Sequence, residues 1–211
     1  MEEKNLHLDT LHDIKQMMER SSRFISLSGL SGIGAGICAL GGAFFTYRMI
    51  AAEKAKGMDY KRIIEFETGN DISQRLLLIG AVTFCAAFMV AFAFTYMRSV
   101  KTGASVWSTT SRRLLWNTLI PLVIGGIVTI RLIQWGLGGL IAPTCLLFYG
   151  LALINGSKYT LSEIRWLGFS QLALGVINLW MTGYGLMFWA FGFGVLHIIY
   201  GAVMWWKYEK K

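Results

Sequence analysis

Long apolar blocks alternate with short polar connections along this chain, and that pattern sets what the fold must bury. A helix that crosses a bilayer needs roughly 20 apolar residues, and Phe24–Tyr47 and Leu76–Met97 each supply such a block. The next apolar region, Leu114–Asn155, is about twice the length of one crossing and must turn back. Arg131, Gln134 and Gly136 mark the turn, which divides the region into Leu114–Leu132 and Gly136–Asn155. Two further blocks follow, Ile164–Thr182 and Leu186–Trp206, joined by the tight-turn sequence Thr182-Gly183-Tyr184-Gly185. The pattern predicts an all-α fold, a polytopic membrane bundle of six transmembrane helices in three hairpins over residues 24–206. Residues 1–23 precede it as a cytoplasmic amphipathic segment, and 207–211 form a short C-terminal tail.

The N-terminal segment has its own periodicity. Asp9 and Thr10 can cap a helix, and Leu11, Ile14 and Met18 recur at helical spacing opposite Asp13, Lys15, Gln16, Glu19 and Arg20. Its acids, Glu2, Glu3, Asp9, Asp13 and Glu19, outnumber its bases, Lys4, Lys15, Arg20 and Arg23. A segment without basic excess lacks attraction to an anionic membrane surface, so it is expected to contact a protein.

Composition agrees with a membrane location. Of 211 residues, 55% are hydrophobic and only 15% charged, against about 25% charged in soluble domains. The net charge of +8 lies at the ends of the apolar blocks, where Lys and Arg set orientation, so it does not indicate a nucleic-acid partner. With the N-terminus inside, thirteen Lys and Arg fall on the inner side and seven on the outer. The inner connection Arg98–Arg113 carries no acid. Both termini are therefore expected in the cytoplasm. Trp116, Trp166, Trp205, Trp206 and Tyr208 then lie at the inner boundary, and Tyr47, Trp135, Trp180 and Tyr184 at the outer, as interfacial aromatic belts do.

Within the first block, Ser28, Gly32 and Gly36 recur every four positions, as do Ser31, Ala35, Ala39 and Ala43. Small residues at this spacing let a second helix backbone approach closely. Gly32-Ile33-Gly34-Ala35-Gly36 also has the look of a dinucleotide-binding loop, but neither the strand nor the soluble helix that such a loop requires flanks it. The connection Arg48–Arg75 is mixed in charge, with a helical stretch expected near Asp59–Glu67 and Asp71 as a cap for the second span. Its acids Glu65, Glu67 and Asp71 show no metal-loop spacing and read as a solvated face.

Buried ionisable groups are costly in lipid and commonly functional, and no Asp, Glu or Lys lies well within a span. That speaks against pumps and enzymes built on intramembrane carboxylates. The polar candidates are Asn117, Thr144, Tyr149, Gln171, Asn178, His197 and Tyr200, each expected to bond across a helix interface. Pro121 and Pro143 are expected to kink the third and fourth spans and free backbone carbonyls. Cys38, Cys85, Cys145 and His197 all fall in the middle third of their spans, and three thiolates with an imidazole could hold zinc or copper(I). The competing reading is ordinary packing. No catalytic set and no cofactor motif is evident, and one embedded histidine rules out bis-histidine haem ligation within the chain. The second half contains parallels at an offset near fifty residues, Trp135-Gly136-Leu137 with Tyr184-Gly185-Leu186 and Phe148-Tyr149-Gly150 with Ile199-Tyr200-Gly201, suggestive of a hairpin repeat.

The passage Ser21-Ser-Arg-Phe-Ile-Ser-Leu-Ser-Gly-Leu-Ser-Gly-Ile33, with the preceding LDTLHDIKQMMER, resembles the start of a family of uncharacterised bacterial inner-membrane proteins from the Bacteroidota. The likeness is sharpest over residues 8–45 and implies a bacterial cytoplasmic membrane and a genomic association with small winged-helix regulators. It carries no activity and no functional residue to this chain. The function expected is non-enzymatic, a sensor or scaffold whose partners are the bilayer, a cytoplasmic protein bound through residues 1–23, and a second copy of the chain in a homo-oligomer. The alternative is a small-solute transporter or channel.

The topology predicts that single cysteines replacing Lys56 will react with an impermeant thiol reagent in intact cells, in a background without native cysteines. Those replacing Lys101 or Lys210 will not, and labelling at Lys101 would overturn the orientation.

Overall fold

The computed structural model describes residues 28–59, 63, 71–103 and 107–210. Among the described residues every regular element is helical, and five helical stretches are long and apolar enough to cross a membrane: Gly29–Ala55, Asp71–Thr102, Thr109–Gln134, Gly138–Tyr159 and Thr182–Tyr208. The elements are α1 (Gly29–Ala55), α2 (Asp71–Thr102), α3 (Thr109–Gln134), α4 (Ile141–Gly156), α5 (Ser162–Trp180), α6 (Gly185–Trp189) and α7 (His197–Tyr208). A π-helical turn, Ala190–Leu196, joins α6 to α7, so the last span is one continuous rod with a widened middle. Helix α5, with 19 residues, is about 28 Å long at 1.5 Å per residue. It is not among those five stretches, and Glu163, Arg165, Ser170, Gln171 and Asn178 lower its apolar character. The N-terminal segment 1–23 and Glu65 and Glu67 lie outside the described residues.

Element ends depart from the sequence reading in instructive ways. Ser28 has extended backbone (ψ 135°) and serves as the N-cap of α1, so the described helix starts later than Phe24. The helix then runs on to Ala55, beyond the apolar block, and its last turns are exposed. Asp71 does not stand before α2 as a cap but occupies its first turn, where it pairs with Arg75 at 2.7 Å. Pro143 does not kink α4. It is the third residue of that helix, directly after the 3-10 turn Gly138–Leu140, and a first-turn proline forfeits no helical hydrogen bond. In the repeat-like passages, Trp135-Gly136-Leu137 precedes its 3-10 turn whereas Tyr184-Gly185-Leu186 straddles the end of the turn Thr182–Tyr184. The two passages do not occupy equivalent positions.

Pro121, by contrast, lies inside α3. Lacking an N–H, it leaves the carbonyl of Asn117, four residues earlier, without its helical donor. The Asn155 side chain of α4 donates to that carbonyl at 2.9 Å. The defect in one helix thus becomes a bond to its neighbour, which is how such a group is tolerated where water is absent.

Helix α1 packs on α2 and on the last span, α4 packs on both α3 and α5, and α2 makes its main contact with α1 alone. The contact of α1 with the last span is backbone against backbone. A methyl group added at Gly36 would come within 2.7 Å of the Gly194 carbonyl, one at Gly32 within 3.2 Å of the Gly201 Cα, and one at Gly201 within 2.7 Å of the Ile33 nitrogen. Gly156 of α4 abuts Leu114 and Thr118 of α3, and Gly168 of α5 approaches the Gly150 carbonyl to 2.9 Å on the same measure. In lipid, where apolar burial gives no drive for association, such close approach is the main source of cohesion.

The outer face of α2 is a ladder of rings. Phe84, Phe88, Phe92 and Tyr96 stack at helical spacing with centroids 6.3–6.5 Å apart, and all are exposed. Beside them a groove of about 350 Å³ between α1 and α2 is lined by Cys38, Gly42, Phe45, Leu78, Val82 and Thr83 among others, nearly all apolar.

Asn155→Leu should lower thermal stability in detergent by on the order of 1 kcal/mol, the range of interhelical bonds in membranes. The same change in a Pro121→Ala background should cost clearly less, because the helix then regains its own donor. A four-variant unfolding cycle checks this, and additive effects would refute the pairing.

Candidate functional site

Two polar assemblies stand out, one in the middle of the bundle and one at the end that holds Ser28. The first gathers around the π turn. His197 Nδ1 lies 3.0 Å from the Gly192 carbonyl, and its Nε2 lies 2.7 Å from the Tyr149 hydroxyl. A carbonyl only accepts, so Nδ1 carries the proton and Nε2 accepts from Tyr149. Gln171 Nε2 donates to the same Gly192 carbonyl at 2.7 Å. One backbone oxygen therefore receives both an imidazole and an amide, and the chain Tyr149–His197–Gly192–Gln171 links α4, the last span and α5. The rings reinforce it, with Phe193 5.0 Å from Tyr149 and 5.9 Å from His197 between centroids.

Local sequence explains the placement. Gly192 and Gly194 line the π turn without side chains, and a methyl group at Gly192 would meet Gln171 Oε1 at 2.6 Å. Helix α5 aims its polar residues inward, because Gln171 and Asn178 are seven apart and share a face with the close-packing Gly168 and Gly175. Both amides are fully buried. Asn178 Nδ2 donates to the Met181 carbonyl at 3.0 Å, closing the end of α5. Two acceptors, Gln171 Oε1 and Asn178 Oδ1, have no hydrogen-bond partner. Unsatisfied buried groups of this kind cost about 1–3 kcal/mol each.

The remaining candidates have separate local roles. Asn117 donates to its own helix at the Arg113 carbonyl, Tyr200 lies 3.4 Å from the Ser170 hydroxyl, and Thr144 is buried in α4. Arg131 bonds Gln134 at 2.8 Å and lies over the Trp135 ring. The four residues read as metal ligands, Cys38, Cys85, Cys145 and His197, do not converge. Cys38 faces the α1–α2 groove, Cys85 is exposed, and Cys145 is bonded to Thr129, whereas His197 already has both nitrogens engaged. Among the described residues no three His, Cys, Asp or Glu side chains are grouped to hold a metal ion. Helices one, two and four simply turn these thiols in different directions.

The second assembly was not legible as a site. Glu209, just past α7, accepts from the Ser28 hydroxyl at 3.1 Å and from the Gly29 backbone N–H, and it pairs with Arg98 of α2 at 2.9 Å. The carboxylate thus caps the N-terminus of α1 in place of a local side chain, where the helix dipole favours negative charge. Two residues earlier, Lys207 pairs with Glu163 of α5 at 2.6 Å, and Tyr208 donates to both Glu163 oxygens. Burial alone would raise the Glu163 carboxyl, but the hydrogen bonds from Lys207 and Tyr208 outweigh it and hold the group below its ordinary value. A depressed carboxyl stabilises the fold above its ordinary value, and that contribution is lost as the pH falls through the folded one.

No protein-family model, no curated protein and no solved structure matches this chain.

Tyr149→Phe strands His197 Nε2 as a buried acceptor and should cost about 1–3 kcal/mol. The double variant Tyr149→Phe/His197→Phe removes both partners and should be less destabilised than the sum of the two single changes. Thermal unfolding of the three variants in one detergent decides it, and strict additivity would show that the two groups are independent.

Proposed function

We propose that this is a non-enzymatic bacterial inner-membrane protein that senses or scaffolds, holding residues 1–23 toward a cytoplasmic protein partner. In this reading the chain crosses the membrane six times as three consecutive hairpins, and the end bearing Ser28 and Glu209 faces the cytoplasm. The excess of Lys and Arg at that end supports the orientation. The observation that carries the function is the Glu209 clasp. The point where the N-terminal segment joins α1 is bound by the last span, and the same span carries the His197 cluster at its middle. A rearrangement of the buried cluster would move a rigid rod whose far end grips the segment's root. No paired acids or activated nucleophile accompany the cluster among the described residues, which favours a signal or an anchorage over a reaction.

A transporter or channel is the second reading, favoured by the unpartnered oxygens of Gln171 and Asn178 on one face of α5. The two readings separate experimentally. Full-length protein captured from native membranes should retain a soluble partner that is lost on deleting Met1–Glu19 and weakened by Glu209→Gln, while insertion is unchanged. Partner recovery indifferent to the deletion would refute the scaffold. Solute uptake into proteoliposomes that Gln171→Leu abolishes would favour transport.

A further inference from the structure

The Ser28 end of the bundle also carries positive charge that the two clasps leave unused. No Asp or Glu occurs anywhere between Asp71 and Glu163. Arg112 and Arg113 stand in the first turns of α3, Lys158 in the 3-10 turn after α4, and Arg165 in the first turn of α5. These elements meet at this end. Gly156 abuts Leu114 and Thr118, and the 3-10 turn Ser157–Tyr159 packs against both α3 and α5. All four cations are exposed, and among the described residues none pairs with an acid. Of the two described carboxylates at this end, Glu163 is taken by Lys207 and Tyr208, and Glu209 by Arg98 and the start of α1. The Arg165 guanidinium carbon lies 5.6 Å from the centroid of the Phe169 ring. Trp116 and Trp166 flank the cations and are likewise exposed, which is the placement of interfacial indoles at headgroup depth.

We propose that Arg112, Arg113, Lys158 and Arg165 form a binding site for the phosphates of an anionic phospholipid, with a two-phosphate lipid the preferred ligand. Two cations stand on α3 and two on the α4–α5 side of the same end of the bundle, and arginine edges suit phosphate oxygens in bidentate geometry. Basic clefts between helix ends are where such headgroups lodge. The acidic segment 1–23 is the other conceivable occupant. The described chain begins at Ser28, however, on α1, which packs with α2 and the last span, whereas the cations belong to α3, α4 and α5.

The test uses full-length protein in neutral detergent and native mass spectrometry with added cardiolipin, phosphatidylglycerol or phosphatidylcholine. Cardiolipin is expected to remain bound at about one per chain, and phosphatidylcholine is not. The triple variant Arg112→Gln/Arg113→Gln/Lys158→Gln should bind cardiolipin at least about tenfold more weakly. Arg48→Gln/Lys56→Gln at the opposite end should leave it unchanged, and Arg112→Lys/Arg113→Lys should recover most of it. Far-ultraviolet circular dichroism confirms that each variant is folded. Undiminished binding in the triple variant overturns the site. Displacement by equimolar inorganic phosphate overturns the lipid as its ligand. A several-fold gain in binding on deleting Met1–Glu19 makes the acidic segment the occupant and overturns the proposal as well.

Discussion

The Glu209 carboxylate is the contact on which the closure of this bundle depends. It caps the first helix, pairs with the end of the second and stands at the end of the last. Helix N-termini expose N–H groups that need acceptors, and the described start of α1 has no side-chain cap of its own. Supplying the acceptor from the far end of the chain turns a local requirement into a tertiary bond. Arg98 balances the charge, so a carboxylate that is only slightly exposed is neither unpaired nor wasted. The neighbouring Lys207–Glu163 pair repeats the arrangement on α5, and together the two acids draw four helix ends to one plane.

Deeper in the bundle the ruling constraint is satisfaction of polar groups without water. Three solutions recur. Pro121 frees a carbonyl that Asn155 takes up. The π turn presents the Gly192 carbonyl to His197 and Gln171 together. Asn178 closes its own helix end at Met181. Each is a side-chain amide or imidazole reaching a backbone oxygen, and each lies on an inward face. Helix α5, which is not among the five span-like stretches, is therefore no weak point. Its polar residues provide the directional bonds that the glycine contacts lack, and they fix which way neighbouring helices are rotated.

Much of the scaffold was legible from hydropathy, because a bilayer imposes a length on every apolar block. Five of the blocks correspond to helical stretches with span-like length and composition, and the turns at Gly136 and Thr182 lie where the residues mark them. The glycine spacing in the first block was visible, but its partner was not. Gly194 and Gly201 lie more than 150 residues away, and no periodicity within α1 names them. Pro143 was misread because its distance from the start of α4 depends on a 3-10 turn that hydropathy does not register. The π turn left only a faint trace, two glycines beside a histidine. The seven-residue spacing of Gln171 with Asn178 and of Gly168 with Gly175 was a usable sign that α5 is polar on its packed face. Glu209 could not be read at all, since it sits among lysines in an otherwise basic tail and its meaning comes wholly from residues brought to it by folding.

The pairing of the first span with the last also sets a schedule. A chain inserted from its N-terminus places α1 in the membrane long before its glycine-packed partner has been made. Until Gly194, Gly201 and Glu209 emerge, the face bearing Gly32 and Gly36 has only lipid against it, and the described start of α1 lacks its acceptor. Helices α3, α4 and α5 have their closest neighbours next to them in sequence and can assemble as they arrive. The first span thus waits for the last, and a chain interrupted before Glu209 would hold the described spans yet lack the carboxylate that fastens α1 to α2 and α7.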